Sequence, residues 1–173
     1  NTAPTLEGVP DDLTVECDAI PFPIDNSELT VNDNCDTNVR IEFDEERVNG
    51  SCTDSYTLIR TWTAIDACDN RTPGVQTIVV QDQTAPVIEG APSGTISVNC
   101  DDSVLAPPSD LTATDNCDAD VPVIFDENRE DGDCAGDYTL TRTWTATDDC
   151  GNSTQAVQII NVTDTNAPIT TCE

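Results

Sequence analysis

Aspartate gathers twice in this chain in one pattern. Asp33-Asn-Cys-Asp36 and Asp66-Ala-Cys-Asp69-Asn70 return as Asp115-Asn-Cys-Asp118 and Asp148-Asp149-Cys-Gly-Asn152, displaced by 82 residues. Carboxylates, asparagine amides and backbone carbonyls in short loops are hard oxygen donors, of which Ca²⁺ takes about six to eight. Asp82 and Asp164 each stand just ahead of an Ala-Pro pair, at 85–86 and 167–168. The expected cation ligands are therefore Asp33, Asp36, Asp66, Asp69, Asp82, Asp115, Asp118, Asp148, Asp149 and Asp164, with Ca²⁺ as cofactor. By relieving mutual repulsion, the ion would lock one repeat onto the next. Asp and Asn also cap their own backbones in ordinary turns, but recurrence of the whole set together with a linker aspartate favours calcium. Asp126 to Asp137 is rejected as an EF-hand loop, because Gly132 falls at its seventh position instead of the sixth.

Cysteine is the second chemically able group. There are nine, none in a Cys-x-x-Cys arrangement, and there is no histidine. That composition suits a disulfide framework better than zinc and places the chain outside the reducing cytosol, on the cell surface or beyond it. Catalysis finds no support. There is no histidine or lysine, no Gly-x-Ser-x-Gly and no glycine-rich phosphate loop, so the chain reads as not an enzyme. The net charge of −28, from 34 acidic residues against six arginines, repels nucleic acid and anionic lipid. No apolar run is long enough to span a membrane. The start at Asn1, with no leader, reads as mature or internal sequence of a larger secreted polypeptide.

The elements that must position these loops repeat with them. Cys17, Cys35, Cys52 and Cys68 recur as Cys100, Cys117, Cys134 and Cys150, and Tyr56-Thr-Leu-Ile-Arg-Thr-Trp as Tyr138-Thr-Leu-Thr-Arg-Thr-Trp. This divides the chain into repeats at 1–82 and 83–164, with the start of another at 165–173. Strands are expected at 13–17, 39–48, 56–65 and 75–80, then at 95–100, 121–128, 138–147 and 156–162. Asn49-Gly50 and Asp131-Gly132 favour tight hairpin turns through positive φ.

Along the third strand of each repeat, alternation places Tyr56, Leu58, Arg60, Trp62 and Ala64 on one face. The opposite face in the second repeat, Thr139 to Thr147, is wholly polar. Arg60, Trp62, Arg142 and Trp144 are thus core residues with structural roles. A buried arginine needs partners, and Phe43 with Glu45, or Phe125 with Glu127, can supply a ring and a carboxylate. Short antiparallel strands, a core tryptophan and proline-rich joints point to an all-β architecture of tandem immunoglobulin-like sandwiches. Short proline-containing linkers stiffen such an array into an extended rod.

Four cysteines allow three pairings. If the Asp33–Asp36 loop precedes one strand and the Asp66–Asn70 loop follows its partner, both lie at one end. Cys35 then meets Cys68 and Cys117 meets Cys150, leaving Cys17 with Cys52 and Cys100 with Cys134 at the other end.

The run Asp115-Asn-Cys-Asp, Arg142-Thr-Trp-Thr-Ala-Thr-Asp-Asp-Cys-Gly-Asn152 and Asp164-Thr-Asn-Ala-Pro168 resembles the repeats of giant cell-surface adhesins of gliding Bacteroidetes-type bacteria. Ala167-Pro-Ile-Thr-Thr-Cys172 is more loosely similar to the hyalin repeat. The resemblance implies an immunoglobulin-like fold, export to the cell surface and a place in filaments or stalks that carry adhesive tips. The partners it implies are neighbouring repeats of the same polypeptide, other filament chains or a surface ligand held by a distant tip. The alternative is a carbohydrate- or surface-binding module, which would need an exposed aromatic platform.

Overall fold

The computed structural model describes residues 2–134 and 136–165; Cys172 and the expected third repeat from residue 166 lie outside them. The chain divides into two compact units, Asn1–Gln83 and Thr84–Glu173. The first holds β1 (Thr5–Glu7), β2 (Leu13–Val15), β3 (Thr30–Asn32), β4 (Arg40–Asn49), β5 (Tyr56–Ile65) and β6 (Arg71–Val80). The second holds β7 (Val87–Glu89), β8 (Gly94–Asn99), β9 (Thr112–Thr114), β10 (Val123–Asp131), β11 (Tyr138–Thr147) and β12 (Ser153–Thr163). Each unit is a sandwich of a four-stranded sheet and a two-stranded one. The sheets run β2-β6-β5-β4 with β1-β3 in the first unit, and β10-β11-β12-β8 with β7-β9 in the second. No helix among the described residues is long and apolar enough to cross a membrane.

The central strand of each large sheet carries the core. On β5, Leu58, Arg60, Trp62 and Ala64 are buried, and on β11 Leu140, Arg142, Trp144 and Ala146. The register sets Phe43 opposite Trp62 and Glu45 opposite Arg60; the second unit pairs Phe125 with Trp144 and Glu127 with Arg142. Both carboxylates meet their guanidinium at 2.7 Å. The rings do something else. Phe43 and Phe125 lie against the tryptophans, at 5.2 and 5.4 Å between centroids. The cation–ring contacts belong instead to Arg47 over Tyr56 and Arg129 over Tyr138. A tryptophan directly across the ladder outcompetes a guanidinium two positions away for the phenyl face.

Not every strand is antiparallel. β2 pairs with β6, and β8 with β12, in parallel, because the connections from β2 and β8 travel through β3 and β9 of the small sheet before returning. The hairpin turns also differ from expectation. Asn49 pairs with Tyr56, so the β4–β5 loop spans residues 50–55 and carries Cys52. Gly50 donates to the Ser55 carbonyl at 2.8 Å, and it is not among the residues with positive φ. Glycine is needed there for proximity: a Cβ would stand 2.4 Å from the Ser55 carbonyl oxygen, whereas at Gly132 the nearest atom is the Asp137 Cβ at 2.9 Å. Gly50→Ala should therefore cost ~1–3 kcal/mol in urea unfolding, and Gly132→Ala less, since its closest approach of 2.9 Å is less severe than 2.4 Å.

Candidate metal centre

The Asp33–Asp36 loop leads toward β4 and the Asp66–Asn70 loop joins β5 to β6. Arg40 pairs with Ile65, and Ile65 with Arg71, so both loops emerge at one pole. Asp33, Asn34, Cys35, Asp36, Asp66 and Cys68 line a single hollow of about 220 Å³ there. Most of their oxygens hold the loops themselves in shape. Asp33 Oδ1 accepts from the amides of Cys35 and Asp36, each at 2.8 Å. Asp66 Oδ1 accepts from Cys68 and Asn70, and its Oδ2 from the Asn70 side chain at 2.6 Å. Asp36 ties the loops together, accepting from Asn38 through Oδ1 and from the Ala67 amide, at 2.7 Å, through Oδ2.

The second unit repeats the wiring. Asp115 accepts from Cys117 and Asp118, and Asp148 from Cys150, Asn152 and the Asn152 side chain. Asp118 reaches across to the Asp149 amide. One oxygen recurs at the equivalent loop position of both repeats: Asp33 Oδ2 and Asp115 Oδ2 are buried and have no hydrogen-bond partner among the described residues. A buried carboxylate oxygen without a donor is costly, and its recurrence at the same position of both repeats fits a cation as its partner. In the second unit, Asp115 and Asp148 bring carboxylate oxygens within 4.8 Å of each other. Two full charges at that separation repel by ~3–4 kcal/mol at an effective dielectric near 20, which a divalent ion would reverse.

Of the ten aspartates, Asp33 and Asp115 each leave one buried oxygen unbonded, Asp66 and Asp148 stand in the neighbouring loop, and Asp36 and Asp118 tie the two loops of each unit together. Asp69 is exposed, stands at φ 64° where the second unit has Gly151, and lies 3.6 Å from Arg40. Asp82 follows β6 and Asp164 follows β12, each at the end of its own unit opposite to that same unit's acidic loops, since Tyr56 pairs with Val80 and Tyr138 with Val162. Asp164 there donates its amide to Asp137 Oδ1 at 2.7 Å. The roles of Asn70 and Asn152 went unanticipated, although their constant spacing of four from Asp66 and Asp148 was visible.

The Asn70 side chain, more than any other cause, holds the Asp66 carboxyl below its ordinary pKa, with burial opposing it and the Asn70 and Cys68 amides assisting. A depressed carboxylate pKa stabilises the fold above the unfolded-state value and loses that contribution as pH falls through the folded one. In Asn70→Ala, the Asp66 titration followed by carbon NMR should move up, and the first unit should lose less stability on acidification.

Among the sulfurs, Cys17 and Cys52 are disulfide-bonded in the first unit, and Cys117 and Cys150 in the second. Cys35, Cys68, Cys100 and Cys134 carry free thiols, against the expectation of two bridges in each repeat. Cys35 and Cys68 do line one hollow, so topology brings their loops to one end, but bonding demands narrower Cα and Cβ geometry than a shared end ensures. Burial, then the charges of Asp164 and Asp101, push the Cys100 thiol up.

A search of curated proteins finds no match. Among solved structures, the chain is similar to a Drosophila N-cadherin EC1-4 fragment, with 17% identity and a TM-score of 0.32, over 93% of this chain and 50% of that one. It is also similar to protocadherin gamma C5 EC1-3, with 12% identity and a TM-score of 0.31, over 92% of this chain and 68% of that one. A third is human mucin-like protocadherin EC1-2, with 11% identity and a TM-score of 0.31, over 93% and 98%. This chain therefore spans half the length of the N-cadherin fragment. Residues 88–162 match the family described as HYR-like domain with 4 cysteines, a span that contains Cys100, Cys117, Cys134 and Cys150.

Proposed function

We propose that this chain is a structural repeat segment of a long extracellular or cell-surface adhesin or filament, of the kind built by gliding Bacteroidetes-type bacteria. Disulfides staple each unit, and calcium stiffens the array through the acidic poles. The observation that carries this reading is duplication of two things at once: a core of Trp, Phe and an Arg–Glu pair, and a pole with an orphaned buried carboxylate oxygen. Modules repeated to this depth serve length and valency. In this reading Asp33 with Asp66, and Asp115 with Asp148, hold the ion. Asp82 and Asp164, which precede the next Ala-Pro start in sequence, are its contribution from the linker. Neighbouring repeats and other filament chains are the partners, and a distant tip holds the adhesive ligand.

A carbohydrate-binding module would present open aromatic faces. Trp62 and Trp144 are buried, and Tyr56 and Tyr138 lie under arginines, so the stacking surface that reading needs is missing among these four rings. The test is thermal unfolding of the chain with calcium, with magnesium and with chelator. Calcium alone should raise the transition, by about 1.4 kcal/mol or more once it is tenfold above its dissociation constant. Coincidence of all three curves would remove calcium and leave turns, disulfides and proline to stiffen the array.

A further inference from the structure

The two units differ at one station of their large sheets. In the first, the buried Arg60 donates Nε to Glu45 and Nη2 to the Pro21 carbonyl at 2.9 Å. Its neighbour across the ladder, Gln76, is also buried and donates to the Asp11 carbonyl at 2.9 Å. The unit's own backbone thus supplies two acceptors, Asp11 before β2 and Pro21 after it, while Ile20 in the segment after β2 packs on the Leu58–Ile78–Val80 core.

In the second unit the corresponding segment is one residue longer between Cys100 and Val104 than between Cys17 and Ile20, and valine replaces isoleucine. Arg142, its side chain 6% exposed, donates among the described residues only its Nε, to Glu127. Gln158 pairs with it across the ladder and makes no side-chain hydrogen bond among the described residues. Both line an apolar hollow of about 310 Å³ whose walls include Ile96, Val98, Val104 and Ile160. Donors left at the wall of an apolar hollow are the mark of a binding site, because they fix orientation while the walls supply affinity. Unpaired donors also penalise anything that lacks an acceptor.

We propose that this hollow docks an apolar, proline-containing segment of a partner polypeptide, whose backbone carbonyls accept from Arg142 and Gln158 as Pro21 and Asp11 do from Arg60 and Gln76. The occupant is neutral at this point. Glu127 already balances the arginine, and Asp101 and Asp102 on the adjoining loop, within a chain of net charge −28, repel a carboxylate.

The probe is N-acetyl-isoleucyl-prolinamide, titrated into the whole chain and followed by methyl NMR. Saturable shifts are expected at Ile96, Val98 and Ile160 but not at Ile78, with a dissociation constant on the order of 1 mM, as suits a ligand this small. Replacing residues 101–105 by Asp18-Ala-Ile-Pro21 copies a loop that folds in the sister unit and should abolish the shifts by supplying the occupant internally. Absence of shifts at several millimolar, equal binding by the loop-replaced chain, or tighter binding of N-acetyl-isoleucine as its carboxylate would each overturn the proposal. None of these outcomes depends on calcium.

Discussion

Trp62→Ala is expected to unfold the first unit while leaving the second folded. Trp62 is wholly buried and faces Phe43 across the ladder at 5.2 Å, and truncating a buried tryptophan costs ~3–5 kcal/mol. A unit of this size rarely holds much more than that in reserve. The effect should be smaller for Trp62→Phe, because the indole Nε1–H is buried with no acceptor among the described residues and removing it relieves an unmet hydrogen bond. Fluorescence of Trp144 serves as an internal reference in both variants. Comparable losses for alanine and phenylalanine would show that the ring's contacts, and not its bulk, hold the layer together.

The second large effect concerns the paired arginines. Glu127→Ala should cost ~3 kcal/mol, toward the lower end for breaking a buried pair because Glu127 is about one-third exposed. Glu45→Ala should cost about 1 kcal/mol less. Arg60 keeps the Pro21 carbonyl, worth roughly one hydrogen bond, whereas Arg142 has no second acceptor among the described residues. Urea unfolding of the two variants measures this difference. Equal costs would mean that the Pro21 bond does not hold in solution, and would also weaken the contrast on which the docking proposal stands.

Alternation made the inner face of β5 and β11 legible before any coordinates, because the all-threonine outer face of β11 admits a single orientation; it gave the parity that lets Glu45 reach Arg60 but not the register, which sets Phe43 against Trp62 instead of the arginine. β1, β3, β7 and β9 were not legible: three residues carry too little period-2 signal. The parallel pairing of β2 with β6 was hidden for a related reason, since it depends on the small sheet those strands form. Asn49-Gly50 suggested a tight turn through its usual φ preference, but the glycine serves close backbone approach across a longer loop.

At the pole, spacing placed the aspartates on two loops at one end, and it could not rank them. Which oxygen turns inward to cap an amide, and which is left orphaned, depends on loop conformation. Of the expected sulfur pairs, Cys17 with Cys52 and Cys117 with Cys150 are disulfide-bonded while Cys35, Cys68, Cys100 and Cys134 are not, because a shared end of a sandwich is a looser condition than bonding distance.

Calcium titration by calorimetry on the wild-type chain and on Asp33→Asn/Asp115→Asn tests the central claim most directly. These substitutions keep the loop-capping oxygen and remove the charge from the buried one. The wild-type chain should bind calcium with measurable heat in the presence of magnesium, and the double variant should lose at least tenfold in affinity, about 1.4 kcal/mol, with its circular dichroism unchanged. Binding that survives in the double variant, or no calcium heat in either chain, would contradict the account and leave the acidic loops as turns.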